Sequence, residues 1–144
     1  MPLITKEVDY AIRIIAYLIG KNELVKMEHI SEKLFISPPN TVKILHKLSK
    51  CGIIETKTGK NGGILLNREV IDLSVFDVLT CMGFSSEINV CVNMPESCKL
   101  NPICNITNFF AEIQNQVIEK LKNAKIKYFM FNDEALNKIG GMYE

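Results

Sequence analysis

The sequence predicts a mainly α-helical fold: a winged helix-turn-helix with a two-stranded wing, followed by a long C-terminal helix suited to dimerisation. Three patterns carry that prediction. Within the first 50 residues, apolar positions recur at helical spacing, and a short helix and a tight connection precede a longer helix. A glycine-rich turn then separates two short apolar runs, the pattern of a β-hairpin. From residue 105 onward a single apolar stripe follows the period of a long amphipathic helix.

In the first helix Val8, Ala11, Ile12, Ile14, Ile15, Tyr17, Leu18 and Ile19 recur at helical spacing, Asp9 and Arg13 take the other face, and Gly20 stops the run. The second helix runs from Lys26 to Leu34 (KMEHISEKL) and buries Ile30 and Leu34. Ser37 then offers an N-cap, and Pro38 and Pro39 occupy the first turn, where a missing N–H costs nothing. The third helix carries Val42, Ile44, Leu45 and Leu48 inward and leaves Asn40, Thr41, Lys43, His46 and Lys47 facing outward, until Gly52 ends it after Cys51. Ile53 to Lys57 and Gly63 to Asn67 read as two strands, joined through Gly59, Asn61, Gly62 and Gly63, which tolerate positive φ. This hairpin reads as a wing, although a hairpin that merely staples a helical core has the same pattern.

Asp72 to Phe84 (DLSVFDVLTCMGF) reads as a further helix burying Val75, Phe76, Val78 and Leu79, with Cys81 as a packed thiol. Ser85 to Pro102 has no sustained period and holds Pro95 and Pro102, so a loop is expected. From Asn105 a long helix should run towards residue 130, with Ile106, Phe109, Phe110, Ile113, Val117, Leu121 and Ala124 on one stripe. A stripe of that length packs most economically on its own copy in a symmetric homodimer. The chain thus divides into a DNA-binding unit (1–70), a linking helix (71–84), a cysteine loop (85–104), a dimerisation helix (105–130) and a tail (131–144) with two glycines and little pattern.

A length of 144 residues with 47% apolar content suffices for one domain, or for a small domain plus a dimerisation element. The start, MPLITKEVDY, lacks the features of a signal peptide, and no apolar run is long enough to span a bilayer, so a cytoplasmic location is expected. Five cysteines are then read as reduced thiols or metal ligands rather than a disulfide framework. Net charge is only +1, but residues 1–70 hold 11 Lys and Arg against 7 Asp and Glu, and the remainder hold 6 against 9. Between residues 40 and 60, Lys43, Lys47, Lys50, Lys57 and Lys60 face only Glu55. That is what a phosphate-facing surface needs, and a solvated basic face would look the same on charge alone. In a winged helix-turn-helix the candidates for contact with double-stranded DNA are Ser37, Asn40, Thr41, Lys43 and Lys47 on the recognition helix, and Lys57, Lys60 and Asn61 on the wing. No nucleophile–base pair, phosphate loop or complete metalloenzyme motif argues for an enzyme.

Cys91, Cys98 and Cys104 lie in CVNMPESCKLNPIC, a C-x6-C-x5-C spacing. Thiolates are the usual ligands of iron–sulfur clusters, and such a loop can wrap three corners of a cubane, leaving one iron to be completed. Structural zinc favours tight C-x2-C pairs and four Cys or His ligands, whereas His29 and His46 belong to the DNA-binding half and no His follows Cys104. Free thiols or a reversible thiol switch are the simpler reading, and an iron–sulfur electron carrier would explain the cysteines without the wing.

Together, ITKEVDYAIRIIAYL, ISPPNTVKILHKLSKCGII, TGKNGGILL, IDLSVFDVL and the cysteine loop resemble the NsrR/IscR-type iron–sulfur winged-helix regulators of the Rrf-two superfamily over roughly residues 1–130. VKILHKLSKCGII and GKNGGILL look closest to the nitric-oxide-sensing NsrR branch. The resemblance implies a homodimeric repressor with crossed long helices, an iron–sulfur cluster ([4Fe-4S] ahead of [2Fe-2S]) on Cys91, Cys98 and Cys104, and nitric oxide or an oxidant as signal. A sensor of iron–sulfur status or redox state is the alternative within the family. Where the IscR-like branch places a ligating His, this chain has Thr107; the NsrR-like branch uses a carboxylate from the partner's first helix, a position matched by Asp9, with Glu7 as backup. Two departures stand out: Thr58 replaces the Arg that many family wings carry, and the first cysteine gap is one residue longer than in many members.

Overall fold

The computed structural model describes residues 4–142. The extreme ends of the expected first unit (1–3) and tail (143–144) lie outside the described residues. Helix α1 (Lys6–Ile19) is the central strut, with Ala11, Ile14 and Ile15 sealed from solvent. Thr5 starts it by accepting from the Val8 N–H at 3.4 Å, which satisfies one of the donors left open at a helix start. Around α1 pack α2 (Met27–Leu34), α3 (Pro38–Lys50) and the hairpin β1 (Ile54–Lys57) and β2 (Gly63–Leu66).

The turn between α2 and α3 passes through Phe35 at φ 55°, a left-handed conformation that costs a residue with a Cβ. Two bonds hold it there: Ser31 donates its hydroxyl to the Ile36 carbonyl at 2.5 Å, and the Ile36 N–H returns to the Ser31 carbonyl at 3.1 Å. The hairpin pairs in antiparallel register, Ile54 with Leu66 through Lys57 with Gly63. Val25 extends it by one bridge, exchanging N–H and carbonyl with Ile64 at 2.9 and 2.7 Å. Of the wing glycines only Gly59 uses positive φ (98°). Gly62 and Gly63 are required instead by close approach, because a Cβ on Gly62 would lie 2.0 Å from the Lys57 carbonyl and one on Gly63 2.9 Å from that of Val25.

Helix α4 (Val75–Cys81) is shorter than the periodicity suggested, because Ser74 and Asp77 form a reciprocal capping box at its start. The expected loop contains one short helical turn, α5 (Val90–Asn93), and two single 3-10 turns, Pro95–Ser97 and Asn101–Ile103. Helix α6 (Asn105–Asn123) stops short of residue 130 because Ala124 turns extended, after which the chain pairs with the segment ahead of α4. Val75 donates to the Ala124 carbonyl at 2.8 Å, Ile126 donates to that of Leu73 at 3.0 Å, and Ile126 is fully buried.

Two features depart from the sequence reading. The tail forms α7 (Asp133–Met142), which returns to α2: Asp133 pairs with Lys21 at 2.6 Å, Lys33 donates to Asn137 at 2.6 Å, and Leu136 is buried. The expectation that all five cysteines are reduced thiols or ligands is also corrected. Cys51, the C-cap of α3, is disulfide-bonded to Cys81, the last residue of α4, with Cα atoms 6.0 Å apart, and Cys91, Cys98 and Cys104 are free. Helices α3 and α4 both pack on α1, which brings together two cysteines 30 residues apart. No described helix is long and apolar enough to cross a membrane.

Candidate DNA-binding face and cysteine loop

Helix α3 buries Thr41, Ile44, Leu45 and Leu48, a stripe set back by one residue at its start from the one expected. Thr41 therefore cannot serve as an outward DNA contact: it is fully buried, and its hydroxyl donates to the Ser37 carbonyl at 3.0 Å. Val42, expected inside, is 51% exposed and lines a groove of about 370 Å³ with Met27, Leu45, His46, Ser49, Thr56 and Ile64, between α3 and the wing. Ser37, Asn40, Lys43 and Lys47 lie at least partly open to solvent on α3 or at its N-cap, as do Lys57, Lys60 and Asn61 on the wing. Ser37 is the N-cap residue, yet its hydroxyl makes no cap bond. Pro38 and Pro39 remove the first two N–H groups of the helix, so little remains for it to cap.

The lysines of α3 are not free of counter-charge. Lys43 and Lys47 both reach Glu7 on α1, Lys47 at 3.1 Å, and hydrogen bonds from Lys43 and then Lys47 hold the Glu7 carboxyl below its ordinary value of 4.5. Two residues on, nearly opposite around the helix, Asp9 pairs with Arg13 at 2.5 Å. The first turn of α1 therefore presents one carboxylate to the recognition helix and a second, half-exposed one away from it. On the wing, Lys26 donates to the Lys60 carbonyl at 2.9 Å and steadies the turn.

The cysteine loop is anchored by Gln114, the single buried residue of α6. Its amide accepts from the Ile88 N–H at 3.0 Å and donates to Asn93 at 3.2 Å, clasping α5 at both ends. The Asn89 side chain caps α5 by accepting from the Cys91 N–H at 3.4 Å. Thr107, one turn into α6, lies between two of the three sulfurs. Its hydroxyl is 3.5 Å from Cys91 Sγ and accepts from Asn101 at 3.4 Å. Cys104 is the N-cap of α6, without a side-chain cap bond, and the neighbouring N–H groups of Thr107 and then Ile106 draw its thiol below the ordinary value, as a helix start does for a thiolate. Cys98 is exposed on the loop between them. Among the described residues no three His, Cys, Asp or Glu side chains converge closely enough to hold a metal ion, so in this conformation the three cysteines are not drawn together and neither Asp9 nor Glu7 is brought to them.

Sequence reading missed Gln114, Thr107 and Asn101 as supports of the loop. A signal for Gln114 was present, since it is a polar residue placed four after Phe110 and three before Val117 on the apolar stripe.

A helix-turn-helix with a wing, joined to a loop of three free cysteines, defines a transcriptional regulator rather than an enzyme. The chain belongs to the Rrf2 family, whose model, described as an iron-dependent transcriptional regulator, matches residues 4–132. It is similar to the HTH-type transcriptional regulator NsrR of Shouchella clausii, at 28% identity over 94% of this chain and 93% of that protein. Protein aau3 of Rhizobium meliloti is 30% identical, over 85% of this chain and 86% of its own. Among solved structures the fold matches CymR, the global cysteine regulator of B. subtilis, with a TM-score of 0.73 at 17% identity over 88% and 95% of the two chains. It also matches IscR of T. potens, with a TM-score of 0.66 at 18% identity over 85% and 82%.

Proposed function

We propose that this chain is a homodimeric transcriptional repressor whose affinity for its DNA operator is set by an iron–sulfur cluster and lowered by nitric oxide. The observation that carries the reading is the cysteine loop: three free thiols, two of them meeting at Thr107 and one held at a helix start that favours its thiolate. Soft sulfur donors on short turns braced by Gln114 suit a cluster of the [4Fe-4S] type, with Cys91, Cys98 and Cys104 as its holders. Asp9 from the other protomer is the fourth donor in this reading, because it is half-exposed with the single partner Arg13, whereas Glu7 is turned to both Lys43 and Lys47 of its own chain. Asp9 would give one iron of such a cluster a hard, weakly held ligand, and the chemistry supplied there would be capture of nitric oxide.

The residues of the chain do the rest. Ser37, Asn40, Lys43 and Lys47 face the major groove, while Lys57, Lys60 and Asn61 reach phosphates or the minor groove beside it. Helix α6 exposes Ile106 and Phe109 at 61% and 58%, a surface that a second copy would cover. Through Glu7 and Asp9, the first turn of α1 ties the recognition helix to the neighbouring protomer's loop. A differential affinity of about 2–3 kcal/mol between the two dimer arrangements changes operator occupancy some 30- to 150-fold.

The test is an absorbance spectrum with iron and acid-labile sulfide counts on anaerobically purified protein, followed by nitric oxide titration of the same sample. About four irons per chain, bleached by a few equivalents of nitric oxide, is the expected result. Two irons that cycle reversibly would replace this reading with a redox sensor, and no iron after reconstitution would remove the cluster from it.

A further inference from the structure

The triad leaves two cysteines unused, and these two are bonded to each other. Cys51 closes α3 and Cys81 closes α4, so their bridge joins the base of the recognition helix to the helix that leads into the cysteine loop. The Cα separation of 6.0 Å falls in the range a disulfide spans without backbone movement. Carbonyl acceptors for the separated thiols lie close by. The Cys81 carbonyl lies 3.8 Å from Cys51 Sγ and the Lys47 carbonyl 3.6 Å from Cys81 Sγ, so each S–H would meet an acceptor already in place. Access is unequal, since Cys51 is exposed and Cys81 half-buried, which makes one sulfur reachable by a reagent and the other its resolving partner.

We infer that Cys51 and Cys81 form a second redox site, a dithiol/disulfide pair that exchanges with low-molecular-weight disulfides independently of the triad. In the forward direction the Cys51 thiolate attacks one sulfur of the small disulfide. The S–S bond of the reagent breaks, its first thiolate leaves and takes up a proton, and a mixed disulfide remains on Cys51. The Cys81 thiolate then attacks Cys51 Sγ, the mixed disulfide breaks, and the second small thiol departs with a proton. The protein has lost two electrons and two protons, and the small disulfide has gained them as two thiols. A small thiol in excess reverses both steps. The bridge fastens the last turn of α3 to α4, giving the DNA-binding face an input that does not pass through the cysteine loop.

The test uses the full chain with Cys91, Cys98 and Cys104 each changed to Ser, which leaves the pair as its only thiols and makes the outcome independent of any cluster. The folded protein is equilibrated across a series of glutathione redox buffers, quenched with an alkylating reagent and weighed intact. The expected result is loss of both alkylation sites together as the buffer becomes oxidising, a mass about 2 Da below the dithiol form, and a peptide containing Cys51 linked to one containing Cys81. Return to a reducing buffer should restore both sites, and Cys81→Ser should stop at a glutathione adduct on Cys51, with no partner left to resolve it. Three outcomes would overturn the inference: thiols that stay alkylatable across the series, separate glutathione adducts on both cysteines without a bridge, or a bridge that opens only after the protein is unfolded.

Discussion

The two halves of the molecule hold themselves together differently. Around α1 nearly every apolar side chain meets another from the same chain, and Ile14, Ile15, Ile30, Ile44 and Leu48 are almost wholly buried. The 19-residue α6, by contrast, buries only Gln114, while Ile103 and Ile106 beside the cysteine loop stand 81% and 61% exposed. The first half has its apolar side chains enclosed, with Ile126 and Leu136 from further along the chain completing its core; the second is an apolar surface and a set of thiols awaiting something to cover them. Stability and regulation should therefore separate under mutation.

The largest stability effect should come from the enclosed half. Ile14→Ala leaves a cavity in the strut on which α2, α3, α4 and β2 pack, and a loss of about 2–5 kcal/mol is expected in a denaturant titration. Phe109→Asp should do the opposite. It should change the stability of the isolated chain by no more than about 0.5 kcal/mol, yet weaken self-association by about 2 kcal/mol or more in sedimentation equilibrium. An unaltered dimer would show that the exposed stripe of α6 is not its interface. Gln114→Ala strips partners from the Ile88 N–H and Asn93, and should cost about 1–2 kcal/mol. Its signature is faster amide exchange confined to residues 88–94; a uniform change would place Gln114 in the general core instead.

The smallest effect on stability, and the most informative for DNA, belongs to Glu7→Gln. With its carboxylate removed, Lys43 and Lys47 are freed for phosphates, so binding to duplex DNA should tighten and the slope of log affinity against log salt should steepen by up to about one unit. An unchanged slope would mean that these lysines do not face phosphates. The pH dependence follows the same pair. The Glu7 value is depressed in the folded chain, so its stabilisation is complete above about 4.5 and disappears as pH falls through the lower folded value. Because more than a third of its side chain is exposed, that contribution stays below about 1 kcal/mol.

Much of this was legible from local pattern. The helical period placed α1, α2 and α3, and the glycine-rich hairpin placed the wing, because each of those signals is contained within a few turns of chain. Apart from Thr41 and the start of α4, the misreadings involve partners distant in sequence. Thr41 was placed outside because it is polar, yet it lies inward with its hydroxyl satisfied by Ser37, and Val42 takes the solvent position. Helix α7 carries Gly140 and Gly141 against helix propensity, and what anchors it is Asp133 on Lys21 and Leu136 in the core. The Cys51–Cys81 bridge depends on α3 and α4 sharing α1 as a floor, which no spacing rule contains. The cysteine triad was visible as a motif, but its supports at Thr107 and Gln114 emerge only once α6 lies beside the loop.

The return of α7 to α2 also bears on how the chain is made. Lys21 and Asp133 are 112 residues apart, so the flank of the helix-turn-helix that α7 covers stays bare until that stretch of chain has been synthesised. The helix-turn-helix can fold early on contacts close in sequence, but its face beside α2 is closed only once α7 has followed it out of the ribosome. A prematurely terminated product would therefore carry the recognition helix and wing with Leu136 missing from its place beside α2, and the cell's proteases would meet it as an unfinished surface.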